Sequence, residues 1–261
     1  MAYPALTDLA TFVIAIALGV PLVFIFSKAL KLRPQTIMVS EKKKEGFLSL
    51  LVFAAVLVAT VGIYWFYDKV WVRATLTADP LYVLRDTIWV ALILLPVIAA
   101  LRWSKQTFES IGVNRKGLKK NFAMGLLTSL VFLLFLGTLA SFLGGGFVGF
   151  SVPVVYLLMS YIVIGFGEET VFRGYIQTRL TANRGPRIGI SVTSLFFVLY
   201  NFPLGYFCFS GNILLSLLFA LWRFSTGLLY GYAFHKSQNL LPSSILHTLL
   251  VWGGLLFGLY L

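Results

Sequence analysis

Charge is the scarcest property of this sequence. Only 11% of its 261 residues are Asp, Glu, Lys or Arg, where soluble globular domains carry about 25%. With 59% hydrophobic residues and a mean hydropathy of +0.91, an ordinary water-soluble domain is excluded and a polytopic membrane protein fits. Acids are scarcer than bases, nine against 21. In a chain with so few charges, the net charge of +12 does not point to nucleic acid. Basic residues crowd the cytoplasmic loops of membrane proteins, and the excess reads as topology. The single cysteine, Cys208, excludes an intramolecular disulfide and a cysteine-based metal cluster and reads as a small apolar filler. Histidine is limited to His235 and His247.

What is present is a succession of apolar runs. Eight approach spanning length: roughly 9–27, 47–67, 86–102, 121–142, 153–178, 187–203, 212–235 and 242–260. Pro153, Pro186 and Pro242 stand where helices should begin, and "GGGFVG", "ANRGPR" and "SQNLLP" supply the breaks. The first run lacks a basic start and reads as an anchor rather than a cleaved signal. Basic residues gather after the first span (Lys28 to Lys44), after the third (Arg102 to Lys120), after the fifth (Arg179, Arg184, Arg187) and after the seventh (Lys236). The alternate loops are neutral or balanced. The pattern predicts an all-α fold of about eight transmembrane helices with both termini outside. The expected setting is multi-pass in a prokaryotic cell membrane.

Inside the spans remain Glu168, Glu169, Arg173 and Arg223. Each would cost at least about 2.5 kcal/mol near a helix centre facing lipid, so each must face protein or a cavity. Glu169 and Arg173 lie four apart in the acid-first order that pairs well, and an architectural role accounts for them. Glu168 is offset by about 100° and needs another partner. Arg223, in "LLFALWRFSTGLLYGY", is one candidate counter-ion. A functional reading is the other: a carboxylate shielded from water is a usable general base when an oxyanion stabiliser lies near. His247, in "LLPSSILHTLLVWGG", and Asn201, in "GISVTSLFFVLYNFPLGY", supply polar groups from other helices. Each also has a structural reading, as a satisfied core residue or as interhelical glue.

"EETVFRG", Glu168 to Gly174, resembles the EExxxR motif of the CAAX prenyl protease and bacteriocin-processing (CPBP) family of intramembrane glutamic proteases. The later helices follow in register: "FVLYN" (Phe197 to Asn201), "GLLYGYAF", the turn "KSQNLLPSS" and "ILHTLLVW". The resemblance covers roughly 108–255 and implies peptide-bond cleavage within the membrane. By position, Glu168 is the base, Glu169 and Arg173 the supporting pair, and His247 an oxyanion donor. It divides the chain into N-terminal transmembrane helices of unassigned role (1–107) and a protease-like core (108–261).

Two positions depart from the family pattern. Asn201 stands where the second motif has histidine, and Val251 where the third has asparagine. Asparagine orients water but takes no proton near neutral pH, and valine does neither. "HKSQN", His235 to Asn239, spells the third motif at the wrong place, since Asn239 belongs to a turn. The expected catalytic set is therefore Glu168, His247 and Asn201, with Glu169, Arg173 and Arg223 in support. The expected function is a CAAX-protease-type endopeptidase, possessing weakened activity, that cuts a membrane-anchored or prenylated protein in membrane lipid. The alternative is an inactive relative serving as a scaffold. A transporter reading lacks inverted repeats. Ser243, Ser244 and Ser151 read as helix caps rather than nucleophiles. No cofactor is expected; Glu168, His247 and Asn201 offer one imidazole and thin support for zinc.

Overall fold

Length and apolarity decide the elements. The computed structural model describes residues 15–32, 37–39, 41–70, 80–142, 146–147, 149–209 and 211–257. Residues 9–14 and 258–260 of the expected first and last spans, 71–79 of the expected loop and the side chain of Cys208 lie outside the described residues. Every described regular element is helical: α1 (Val20–Ala29, after a π-turn at Ala15–Gly19), α2 (Lys42–Val70), α3 (Pro80–Trp103), a 3₁₀ turn (Phe108–Ile111), α4 (Leu118–Phe142), α5 (Val152–Glu169), a π-helix (Thr170–Gln177), α6 (Thr178–Arg184), α7 (Pro186–Cys208), α8 (Ile213–Ser237) and α9 (Leu240–Leu256).

Six of these helical segments are long and apolar enough to cross a membrane, with α5, the π-helix and α6 forming one rod over Val152–Arg184. Ile16–Ala29 and α9 are shorter apolar helices. Together they account one by one for the eight apolar runs, and the protein is an all-helical, multi-pass integral membrane protein. Outward-facing Leu50, Leu51, Val58, Leu134, Leu195, Leu199 and Leu214 are the lipid-facing positions such a bundle requires.

Local chemistry sets the ends. Gly185, at φ 87°, breaks the chain between α6 and α7, a conformation that glycine adopts without Cβ strain. Asn212 and Asn239 cap α8 and α9, their side-chain oxygens accepting from the Leu215 and Leu241 amides. The cap of α9 is thus Asn239. Ser243, one of the expected caps, already lies within the helix, its hydroxyl donating to the Leu240 carbonyl at 3.1 Å.

The long rod sits at the centre. α5 packs on α3 and α9, while the π-helix meets α2, α3, α7, α8 and α9. Close approach of α5 and α9 depends on Gly165, where a Cβ would lie 2.7 Å from Thr248 Oγ1; small residues permit such helix contacts. Phe172, Phe197, Tyr175, Ile93 and Val56 fill the core between the rod, α7, α3 and α2.

Candidate active site

The motif occupies the widest-wound part of the rod. Glu168 and Glu169 close α5, and Thr170–Gln177 then turn as a π-helix, a form that recurs at functional sites. Threonine hydroxyls bond back to the main chain at both ends, Thr170 to the Phe166 carbonyl at 2.7 Å and Thr178 to the Arg173 carbonyl at 3.2 Å. Such back-bonding perturbs regular winding. Two side chains four residues apart fasten the stretch to α8. Arg173 Nη2 donates to the Gly227 carbonyl at 3.2 Å, and Gln177 Nε2 to the Gly231 carbonyl at 2.8 Å. Gly174 lets the 3₁₀ turn approach, since a Cβ there would lie 2.7 Å from the Ile111 carbonyl oxygen.

Glu168, Glu169, Arg173 and His247 are all buried, Glu169 and Arg173 completely. The His247 ring lies between the two carboxylates. Its Nδ1 is 3.1 Å from Glu169 Oε1 and its Nε2 is 3.6 Å from Glu168 Oε2. Glu169 Oε2 also meets Arg173 Nε at 3.3 Å. The ring is clamped by Tyr230, stacked at 4.9 Å and 16°, and by the edge of Phe197 at 5.7 Å and 90°. Arg173 lies over the Phe197 ring at 4.6 Å, a favourable cation–π contact when desolvated.

Two residues unmarked in the sequence reading complete the arrangement. Tyr200 donates its hydroxyl to Glu168 Oε1 at 3.1 Å, and Trp89 donates its indole N–H to Tyr200 Oη, also at 3.1 Å. Buried tyrosine and tryptophan need partners for their polar atoms, and this is the signal that singles them out. Glu168 Oε2 has no hydrogen-bond donor among the described residues.

The remaining expected residues are placed differently. Asn201 is buried beside Tyr200 but donates its amide to the Phe197 carbonyl of its own helix at 2.8 Å. Arg223 forms no ion pair among the described residues. Its guanidinium lies over Trp222 at 4.5 Å and Phe219 at 4.9 Å. Val251, one turn beyond His247, is buried and apolar. His235 ends α8, away from the cluster, while Asn239 donates to the Asn114 carbonyl at 2.9 Å. Glu169 is already held by an arginine and a histidine. Among the described residues no group of three or more His, Cys, Asp or Glu side chains is disposed to hold a metal ion.

The fold and the buried contacts define a helical membrane protein with a glutamate–histidine–glutamate cluster inside the bundle. Residues 149–253 match the model of the family described as Rce1-like, type II CAAX prenyl endopeptidase Rce1-like. The match takes in "EETVFRG" and the later helices, so this segment is similar to that family where the sequence resemblance placed it. It contains every residue of the cluster except Trp89. Comparison with curated proteins and with solved structures gave no match.

Proposed function

We propose that the chain is an intramembrane endopeptidase of the CAAX-protease type, with Glu168 as its general base. The observation that carries this reading is the convergence of Glu168, His247 and Tyr200, from three separate helices, in a buried site. Tyr200 fixes one carboxylate oxygen and leaves Oε2 to take a proton from water as it attacks the scissile carbonyl carbon. Glu169 fixes the imidazole by accepting from Nδ1–H, as an orienting carboxylate does in other hydrolytic sites. An Nε2–H on the same ring, carried before substrate enters and kept through the cycle, is the donor to the tetrahedral oxyanion. Collapse breaks the C–N bond, and the proton held on Glu168 passes to the leaving amine. Positioned acid–base catalysis contributes about 10²–10⁴-fold, and each oxyanion donor about 10²–10³-fold. Val251 and the self-bonded Asn201 leave fewer donors than the family pattern provides, so turnover is slow.

The substrate is a lipidated or membrane-anchored protein segment entering from the cytoplasmic leaflet, where the basic loops meet anionic headgroups. In this reading both termini lie outside, in a prokaryotic cell membrane. A second reading, a non-catalytic scaffold, draws on Asn201 donating within its own helix and on Val251. Purified chain reconstituted in liposomes separates the two when incubated with prenylated CAAX peptides and read by mass spectrometry. The protease yields products with a new C-terminus, absent from protein-free liposomes. A chain that retains the peptides uncut is the scaffold.

A further inference from the structure

Three chain segments far apart in sequence meet in a second polar cleft, outside the candidate active site. The end of α1 supplies Lys31, the start of α4 supplies Lys116, Lys120 and Asn121, and the end of α8 supplies Ser237 and Gln238. The cleft encloses about 250 Å³, below the roughly 300–1,000 Å³ of drug-sized ligand sites and suited to a single headgroup. No acid lines it. The three lysines form no ion pair among the described residues, so their charges repel one another until an anion enters. Among the described residues Lys120 Nζ donates to the Lys31 carbonyl, at 3.5 Å. Lys28 and Lys236 stand alongside, both over the Phe24 ring, at 4.6 and 5.6 Å.

Position narrows the occupant. The lining residues belong to the ends of apolar helices on the side where the basic loops gather, which is the level of lipid headgroups. α1 and α4 expose Phe24, Ile25, Leu118 and Phe122 just beyond the lysines, apolar surface for acyl chains next to cationic surface for a phosphate. Asn121 is buried with its side-chain oxygen unpartnered, an acceptor suited to a hydroxyl donor. We propose that this cleft binds the phosphodiester headgroup of an anionic, hydroxyl-bearing glycerophospholipid of the phosphatidylglycerol type. The basic pockets between helices that hold such headgroups act in the same way.

Native mass spectrometry of the full chain in detergent tests this without any substrate. The expected result is phosphatidylglycerol binding at least tenfold tighter than phosphatidylcholine. Lys31→Gln/Lys116→Gln/Lys120→Gln should weaken that binding at least tenfold; all three lysines are exposed, so the variant folds. Lys42→Gln/Lys43→Gln/Lys44→Gln removes the same charge elsewhere on the surface and should leave it intact. Equal loss in both variants would overturn the proposal in favour of non-specific charge attraction. Competition by millimolar inorganic phosphate would overturn it in favour of a free-anion site. Equal binding of the two lipids would remove the site altogether.

Discussion

Arg179 ties the N-terminal helices to the motif-bearing rod, and its replacement by methionine tests how much they hold it. The side chain is fully buried on α6, with its guanidinium 3.4 Å from the buried carboxylate of Glu45 on α2. It also donates to the Ser110 carbonyl at 2.9 Å, the Ser110 hydroxyl at 3.1 Å and the Gln106 side chain, and lies 4.1 Å above the Tyr175 ring. Removing one partner of a buried pair costs about 3–5 kcal/mol, because the other charge stays buried without compensation. Methionine restores apolar packing and offsets part of the lost neutral bonds. At about 2–4 °C per kcal/mol for a chain of this size, Tm should fall by roughly 6–20 °C. Glu45→Gln should cost less, about 1–3 kcal/mol, since Arg179 keeps its contacts with Ser110, Gln106, Gly174 and Tyr175. Thermal unfolding in one detergent, followed by tryptophan fluorescence, reads both variants and Glu45→Leu. Arg179→Met combined with Glu45→Leu should recover at least about 1 kcal/mol relative to the sum of the separate losses. Strict additivity, or a Tm within about 2 °C of the parent for Arg179→Met, would refute the view that this pair anchors α2 to the rod.

Other outcomes follow from the same contacts. Tyr200→Phe removes the hydroxyl held by Glu168 and should lower kcat about 10–150-fold with little change in KM, as a hydrogen bond to a charged group contributes about 1.5–3 kcal/mol. Trp89→Phe removes the indole N–H that Tyr200 accepts and should lower kcat less than tenfold, about the effect of one neutral hydrogen bond; an equal loss in both variants would contradict that order. Gly165→Leu forces a side chain into Thr248, beside His247, and should cost about 1–3 kcal/mol in unfolding measurements. Val251→Asn returns a donor one turn from His247 and should raise kcat about tenfold or more; an unchanged rate would place Val251 away from the oxyanion.

The spans were legible because bilayer thickness imposes a length on apolar runs, and the charged motif because buried charge is costly enough to stand out. The relation between the two glutamates was not. On a regular helix Glu168 points about 100° away from Glu169, which suggested separate partners. The imidazole of His247 resolves this, since its two nitrogens face opposite ways and each meets one carboxylate. Arg179 read as a loop charge after a fifth span ending near residue 178, but the rod continues to Arg184 and buries it. In the sequence Tyr200 and Trp89 do not stand out from 12 tyrosines and six tryptophans, and the need of their polar atoms for partners singles them out only once tertiary contact shows which are aimed at a carboxylate. The π-helix leaves no mark in composition, being one extra residue per turn in an otherwise helical pattern.

The central claim is that Glu168 activates the attacking water. Its most direct test is cleavage of a prenylated CAAX peptide by the chain in liposomes, with Glu168→Gln measured beside the parent under single-turnover conditions. The account predicts slow cleavage by the parent and a loss of at least about a hundredfold in the variant, with its Tm still close to that of the parent. Equal cleavage by a folded Glu168→Gln would contradict it.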